Sequence, residues 1–245
     1  MTFNLLLPRR GKIVQNNYKN EFLKKVQLFS SFTDKEIEQL ITKLVIKKFK
    51  KHETILHEED TNEFMYIILF GKVKAVRMTE DGKEIILAVH QAGEFFGEMS
   101  LIDGKTTPAS VIATEDSLAA IVSKKDFYSI LFAQTKVTMS LLKIFCTRLR
   151  KCWDTIQLLN FNNASQRTKM LLLMLSDEYG KKSPEGITLN IKLTHQDVAE
   201  MTGMTRETVT RILDKLQKTG EITVLKDKFI RLNPSFMQKD LNIKL

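Results

Sequence analysis

The chain holds only two cysteines, Cys146 and Cys152, in 245 residues. Two thiols do not make a disulfide framework. Nor do they supply the roughly four protein ligands of an iron–sulfur cluster, so none is expected. A reducing cytoplasm is the expected setting. No run of about 18 or more apolar residues occurs, so no segment is expected to span a bilayer. The Phe3–Leu7 stretch is apolar, but its basic residues follow rather than precede it, the wrong order for a secretory signal. Metal-ligand spacing and a nucleophile–base constellation are both missing, and Gly11-Lys12 has no phosphate-cradling loop before it; these absences argue against an enzyme. His52, His57, His90 and His195 read as ordinary strand or loop residues rather than haem or metal ligands. No internal repeat or low-complexity segment stands out.

What is present is 43% hydrophobic residues, enough for a core, and a net charge of +9. A basic balance favours a polyanionic partner: nucleic acid, an anionic membrane surface or an acidic protein.

The first 20 residues are poorly patterned and read as a tail, with Arg9, Arg10 and Lys12 able to touch phosphate. Thr33 and Glu36 then form a capping-box pattern. Ile37, Leu40, Ile41 and Leu44 follow on one helical face. From Leu44 to about Ser123 the period changes. Ile55-Leu56, Met65–Phe70, Lys72–Met78, Glu84–His90 and Ser110–Val122 read as strands between glycine-containing turns. Short strands at this spacing predict a β-barrel or jelly roll.

Lys125 to about Asn160 contains neither proline nor glycine and reads as one long helix. Leu142, Phe145, Leu149, Cys152, Ile156 and Leu159 fall at alternating spacings of three and four, a heptad seam. The seam packs either against its own domain or against a second copy; the two-fold coiled coil is favoured because it buries the seam along its length. On the seam, Cys152 reads as a small buried hydrophobe, with a contact to the Cys152 of a second copy the alternative. Asn160, Asn162 and Asn163 read as a hinge. Met170, Leu171, Leu173, Met174 and Leu175 then read as a buried helix face, Gly180–Gly186 as a loop and Ile187–Leu193 as a strand.

The strongest chemical pattern spans 194–217. Thr194 and Asp197 make a second capping-box pattern. Gly203 suits a left-handed turn. Thr205 caps a helix over 206–217 whose core face is Val209, Ile212, Leu213 and Leu216. Its other face carries Arg206, Glu207, Thr208, Thr210, Arg211 and Lys215. Such a helix fits the major groove. Arg206 and Arg211 can each give two parallel hydrogen bonds to a guanine, and Glu207 can accept from a cytosine amino group. Thr194, Thr205, Thr208 and Lys215 suit phosphates. A hairpin, Ile222–Leu225 and Phe229–Leu232 around Lys226-Asp227-Lys228, reads as a wing.

The stretch from Gly203 to Leu213, GMTRETVTRIL, resembles the recognition-helix signature of the Crp/Fnr family of bacterial regulators. GEFFGEMSL, from Gly93 to Leu101, resembles the phosphate-binding cassette of cyclic-nucleotide-binding domains. The resemblance covers roughly residues 20 to 235. It implies an α+β chain: a tail over 1–20, a jelly-roll effector domain over 21–124, a coiled-coil dimerisation helix and hinge over 125–163, and a winged helix-turn-helix over 164–245. It further implies a cytoplasmic homodimer reading near-palindromic TGTGA-type DNA through Arg206, Glu207 and Arg211, with RNA polymerase as a partner. The implied effector pocket contains Phe96, Gly97, Glu98, Met99, Thr107, Ala109, Arg148, Cys152 and Trp153.

That pocket departs from the cyclic-AMP pattern. Thr107-Pro108 stands where an Arg-Ser pair grips the phosphate, and Pro108 has no N–H to offer. Cys152-Trp153 replaces the polar pair expected to meet the adenine. Three readings stay open: a different nucleotide or a cyclic dinucleotide stacked on Trp153, a pocket filled by side chains, or cyclic AMP held by a rearranged route. The competing function is a ligand-binding signalling module whose winged helix contacts proteins; Arg206, Glu207 and Arg211 together favour DNA.

Overall fold

The computed structural model describes residues 21–82, 84–161, 163–225 and 229–239. The tail, Asn162 and the wing tip Lys226-Asp227-Lys228 lie outside them. The chain divides into two compact units, Met1–Leu149 and Arg150–Leu245, so the boundary falls within one helix.

The first unit begins with α1, Asp34–Thr42. Its capping box forms as the sequence requires: Thr33 Oγ1 accepts from Glu36 N, and the Glu36 carboxylate accepts from Thr33 N. These bonds, led by that from the Thr33 backbone, hold the Glu36 carboxyl below the ordinary carboxylate range. Two four-stranded sheets follow. The strands are β1 (Val45–Phe49), β2 (Thr54–Leu56), β3 (Phe64–Phe70), β4 (Lys72–Met78), β5 (Glu84–Gln91), β6 (Phe95–Phe96), β7 (Ser110–Ala113) and β8 (Ser117–Ser123). Their orders are β1-β8-β3-β6 and β2-β7-β4-β5, the double-sheet jelly roll expected from the turn spacing. The strand expected over 110–122 is two, parted by the turn at Thr114–Asp116. β1 was not foreseen. Only Phe49 of its five residues is buried, so it lacks the alternation that marks a half-buried strand.

Strand β3 shows how one run serves two cores. Alternate side chains point to opposite faces. Met65 and Ile67 enter a cluster with Phe29, Ile37, Phe127 and Leu141. Tyr66 and Ile68 enter the cluster between the sheets, with Phe49, Val73 and Phe96. Burial on both faces is why the strand reads as a continuous apolar run. Each fully buried side chain contributes about 1.5–3 kcal/mol.

The long helix expected over 125–160 is two helices, α3 (Lys124–Ala133) and α4 (Thr135–Leu159). Gln134 breaks it with an extended backbone at φ −147°, ψ 106°. Its carbonyl accepts from Val137 N at 3.0 Å, and its side chain reaches Glu36 Oε1 at 2.5 Å. The break lets Val137, Leu141 and Ile144 enter the first cluster. That tertiary gain outweighs the propensity of an uninterrupted helix.

The second unit begins with α5 (Ala164–Tyr179). Asn163 caps it by accepting from Ser165 N and Gln166 N, so this asparagine starts a helix as well as ending a linker. Met170, Leu171, Leu172 and Leu175 are its buried apolar residues; Leu172 takes the place expected for Leu173 and Met174. Strand β9 (Gly180–Ser183) forms where a loop was expected and pairs in a hairpin with β10 (Gly186–Leu189), which takes up the start of the strand expected over 187–193. Then come α6 (His195–Thr202), α7 (Arg206–Lys218), β11 (Ile222–Val224), β12 (Ile230–Leu232) and α8 (Pro234–Lys239). The sheet order is β11-β12-β10-β9.

Candidate nucleic-acid interface and effector site

Helix α6 starts at the expected capping box. Thr194 Oγ1 accepts from Asp197 N at 3.0 Å, and Asp197 Oδ2 accepts from Thr194 N at 2.7 Å. The helix ends at Gly203, whose φ is +63°, a conformation that costs a residue with a Cβ roughly 1–2 kcal/mol. Thr205 then caps α7, accepting from Thr208 N. Val209, Ile212, Leu213 and Leu216 are buried, as the period requires. From α5, Arg167 donates to Thr202 O at 3.0 Å and to Phe161 O. Lys169 pairs with the buried Glu221 beyond the end of α7. Those bonds fix both ends of the helix-turn-helix on α5, and sequence periodicity could not report them.

Fixing the buried face leaves Arg206, Glu207, Arg211 and Lys215 exposed. Among the described residues, the side chains of Arg206, Glu207 and Arg211 have no hydrogen-bond or ion-pair partner. A cation in the first turn of a helix opposes the macrodipole, so Arg206 does nothing for its own helix. Four threonines of the expected interface are engaged inside the protein. The Thr194 and Thr205 hydroxyls serve as caps. Thr210 Oγ1 bonds Arg206 O at 2.9 Å and His195 Nδ1 at 2.8 Å. Thr208 Oγ1 accepts from Thr205 Oγ1 at 3.0 Å.

In the first unit, the cassette turn is built by Gly97 and Asn62. Gly97 has φ +85°, and a Cβ there would stand 2.8 Å from Phe64 O. Buried Asn62 donates to both Phe64 O and Gly97 O, at 2.6 and 2.8 Å. It was not foreseen, because its partners are 35 residues apart in the chain at the far end. Phe96 stacks on Tyr66 with ring centroids 5.0 Å apart, and burial raises the Tyr66 phenol pKa. Met99 is exposed, Ala109 buried.

Glu98 is 1% exposed. Its Oε1 lies 2.5 Å from Arg148 Nη1. Arg148 Nη2 donates to Phe95 O at 2.6 Å, and the guanidinium sits 4.7 Å from the Phe95 ring centroid. So the cation nearest the cassette is already neutralised. Among the described residues, Glu98 Oε2 and Ser100 Oγ are buried with no hydrogen-bond partner.

A cyclic nucleotide needs cationic or N–H donors for its phosphate. Thr107 offers neither. Its N–H donates to Asp60 O at 2.9 Å, and its hydroxyl to His57 O. Glu58, Glu59 and Asp60 bring carboxylates to the segment that Thr107 bonds. These residues do not fit the phosphate of cyclic AMP.

On α4 the exposed apolar stripe is Met139, Leu142, Leu149, Trp153, Ile156 and Leu159, with exposed Cys146 and Cys152 beside it. The expected seam is corrected at Phe145, which packs against the first unit's own core. Spacings of four and three now run Leu142, Cys146, Leu149, Trp153 and Ile156. Phe145 faces inward because it lies beside Leu141 and Ile144 on the helix surface.

Among the described residues no single helix is long and apolar enough to cross a membrane. Residues 46–134 match the cyclic nucleotide-binding domain, and residues 166–239 match the Crp-like helix-turn-helix domain. The chain is 30% identical over 193 residues to the global nitrogen regulator of Synechococcus elongatus, covering 78% of this chain and 87% of that protein. It is 30% identical over 198 residues to the anaerobic regulatory protein of Bacillus subtilis, covering 80% and 82%. Of solved structures, FixK2 of Bradyrhizobium japonicum aligns with a TM-score of 0.71 at 22% identity, over 82% of this chain and 98% of that one. The likeness in structure supports the fold, and the likeness in sequence the family. The chain belongs to the Crp/Fnr family of transcription regulators, with a cyclic nucleotide-binding domain followed by a Crp-like helix-turn-helix.

Proposed function

We propose that this regulator is a cytoplasmic homodimer that binds a near-palindromic operator with TGTGA-like half-sites and acts there on RNA polymerase. The observation that carries this is the row Arg206, Glu207 and Arg211, exposed on a helix whose opposite face is buried. Two copies joined along the α4 stripe present two such helices, so operator symmetry follows protein symmetry. The test is selection of bound duplexes from a randomised pool. The expected product is a pair of inverted half-sites about one helical turn, or a multiple of it, apart. A product without inverted symmetry contradicts the dimer, and no enrichment at all favours a winged helix that contacts proteins.

The effector site is read as independent of cyclic AMP, because Thr107 is consumed by the loop and Arg148 by Glu98. Cyclic AMP at millimolar concentration is expected to leave operator affinity unchanged within twofold in a binding titration. Tightening of tenfold or more contradicts this. A second reading has its own observation. A buried polar atom without a partner costs about 1–3 kcal/mol, and Glu98 Oε2 and Ser100 Oγ are two. They favour a ligand that brings hydrogen-bond donors to these two oxygens, and a cyclic dinucleotide is titrated beside cyclic AMP to test for one.

A further inference from the structure

We infer that His195 is a positioning residue of the DNA interface and the group through which operator binding takes up a proton. The inference rests on the DNA-binding reading above.

The geometry settles which ring nitrogen holds the first proton. Thr210 Oγ1 is within hydrogen-bond distance of two groups, Arg206 O at 2.9 Å and His195 Nδ1 at 2.8 Å. A hydroxyl has one proton and two lone pairs. The carbonyl can only accept, so the hydroxyl proton goes to Arg206 O. The hydroxyl then accepts from Nδ1–H. Both contacts are satisfied only with the proton on Nδ1, which leaves Nε2 as the ring's acceptor nitrogen.

Among the described residues Nε2 has no partner. His195 is half-buried and is the first residue of α6. The first helix of a helix-turn-helix crosses the DNA backbone. A phosphate oxygen repels the lone pair of a neutral Nε2 and is bound by Nε2–H of the imidazolium. The same ring thus braces Thr210, and with it the helix that reads bases, while it answers to phosphate. Histidine is the side chain whose charge changes near neutral pH.

Other charges around the ring do not replace this role. On α6, Asp197 is taken by Thr194 and Glu200 by Gln196. On α7 the neighbours are Arg206, Glu207, Arg211 and Asp214. On α5, Arg167 is held by Thr202 O and Phe161 O, and Lys169 by Glu221. Lys192 precedes α6 and lies over Phe229.

Binding that takes up a proton strengthens as pH falls, and the gain saturates once the free protein is itself protonated. The experiment measures the affinity of the full-length protein for a palindromic TGTGA-type duplex and for a scrambled one, from pH 6 to 8.5 at fixed salt. Operator binding is expected to tighten about 3- to 10-fold from pH 8.5 to 6, and the salt slope to steepen by about one contact. In His195→Gln the pH dependence disappears. In His195→Arg the fixed cation keeps binding tight and makes it independent of pH, a rescue that a purely structural role does not predict. Circular dichroism confirms that both variants fold. If the wild type prefers the operator but its profile is flat, or His195→Gln keeps the wild-type slope, the inference is overturned while the DNA-binding reading stands. If neither duplex is preferred at any pH, the DNA-binding reading fails and takes the inference with it.

Discussion

Arg206→Ala is expected to cost about 1–3 kcal/mol per half-site and to relax preference at one base pair. A symmetric dimer carries the loss twice, roughly 2–6 kcal/mol in all if the half-sites are independent. The reason is geometric. Arg206 opens α7, where the N-terminal residues of a recognition helix reach base edges, and its planar guanidinium matches O6 and N7 of guanine. Among the described residues nothing competes for its side chain. Stability should therefore move by no more than about 0.5 kcal/mol, as at other surface sites. Competition with duplexes substituted one base pair at a time checks the prediction. Loss confined to one position assigns Arg206 to base reading. Equal weakening on every duplex, with a salt slope reduced by about one, makes it a phosphate contact.

Leu149→Glu combined with Ile156→Glu is expected to convert the proposed dimer to a monomer and lower operator affinity by about 100-fold or more. Leu149 is 51% exposed and Ile156 57% exposed, so neither substitution removes core packing from the single chain. In a two-fold seam each glutamate meets its own copy across the axis, burying like charges without compensation. The operator loss follows because two linked half-site contacts give an avidity of about 10²–10⁴ over one. Sedimentation equilibrium with an operator titration reads both effects. A variant that stays dimeric places the interface elsewhere. A monomer that keeps full affinity shows that the two half-sites are not bound together.

The parts of this molecule legible in its sequence are those governed by neighbours in the chain. Thr33 with Glu36 and Thr194 with Asp197 announce their helices because capping bonds span three residues. Gly203 announces its turn because a left-handed backbone demands it. Val209, Ile212, Leu213 and Leu216 follow from helical period alone. What stayed hidden depends on distant partners. Gln134 breaks a helix-favouring segment because Val137, Leu141 and Ile144 are drawn into a core built mostly from earlier strands. Phe145 fits a heptad on paper yet packs inward with them. Arg148 and Glu98, 50 residues apart, neutralise each other, which no spacing rule reports. Thr210 sits in the row expected to face DNA, but its hydroxyl belongs to His195 and Arg206. The family resemblance marked Gly93–Leu101 as a cassette, and the cyclic nucleotide-binding domain match over residues 46–134 spans it. The lost Arg-Ser pair was legible at Thr107-Pro108, whereas the engagement of Thr107 by His57 O and Asp60 O and of Arg148 by Glu98 was visible only in the folded chain.

The central claim is that the dimer reads its operator without a cyclic nucleotide. The most direct measurement is fluorescence anisotropy of the purified full-length protein on a palindromic TGTGA-type duplex and a scrambled duplex, at fixed salt with no nucleotide added. A preference for the palindrome of about a thousandfold or more is expected, with two protomers bound per duplex. Equal, weak binding to both duplexes would contradict it.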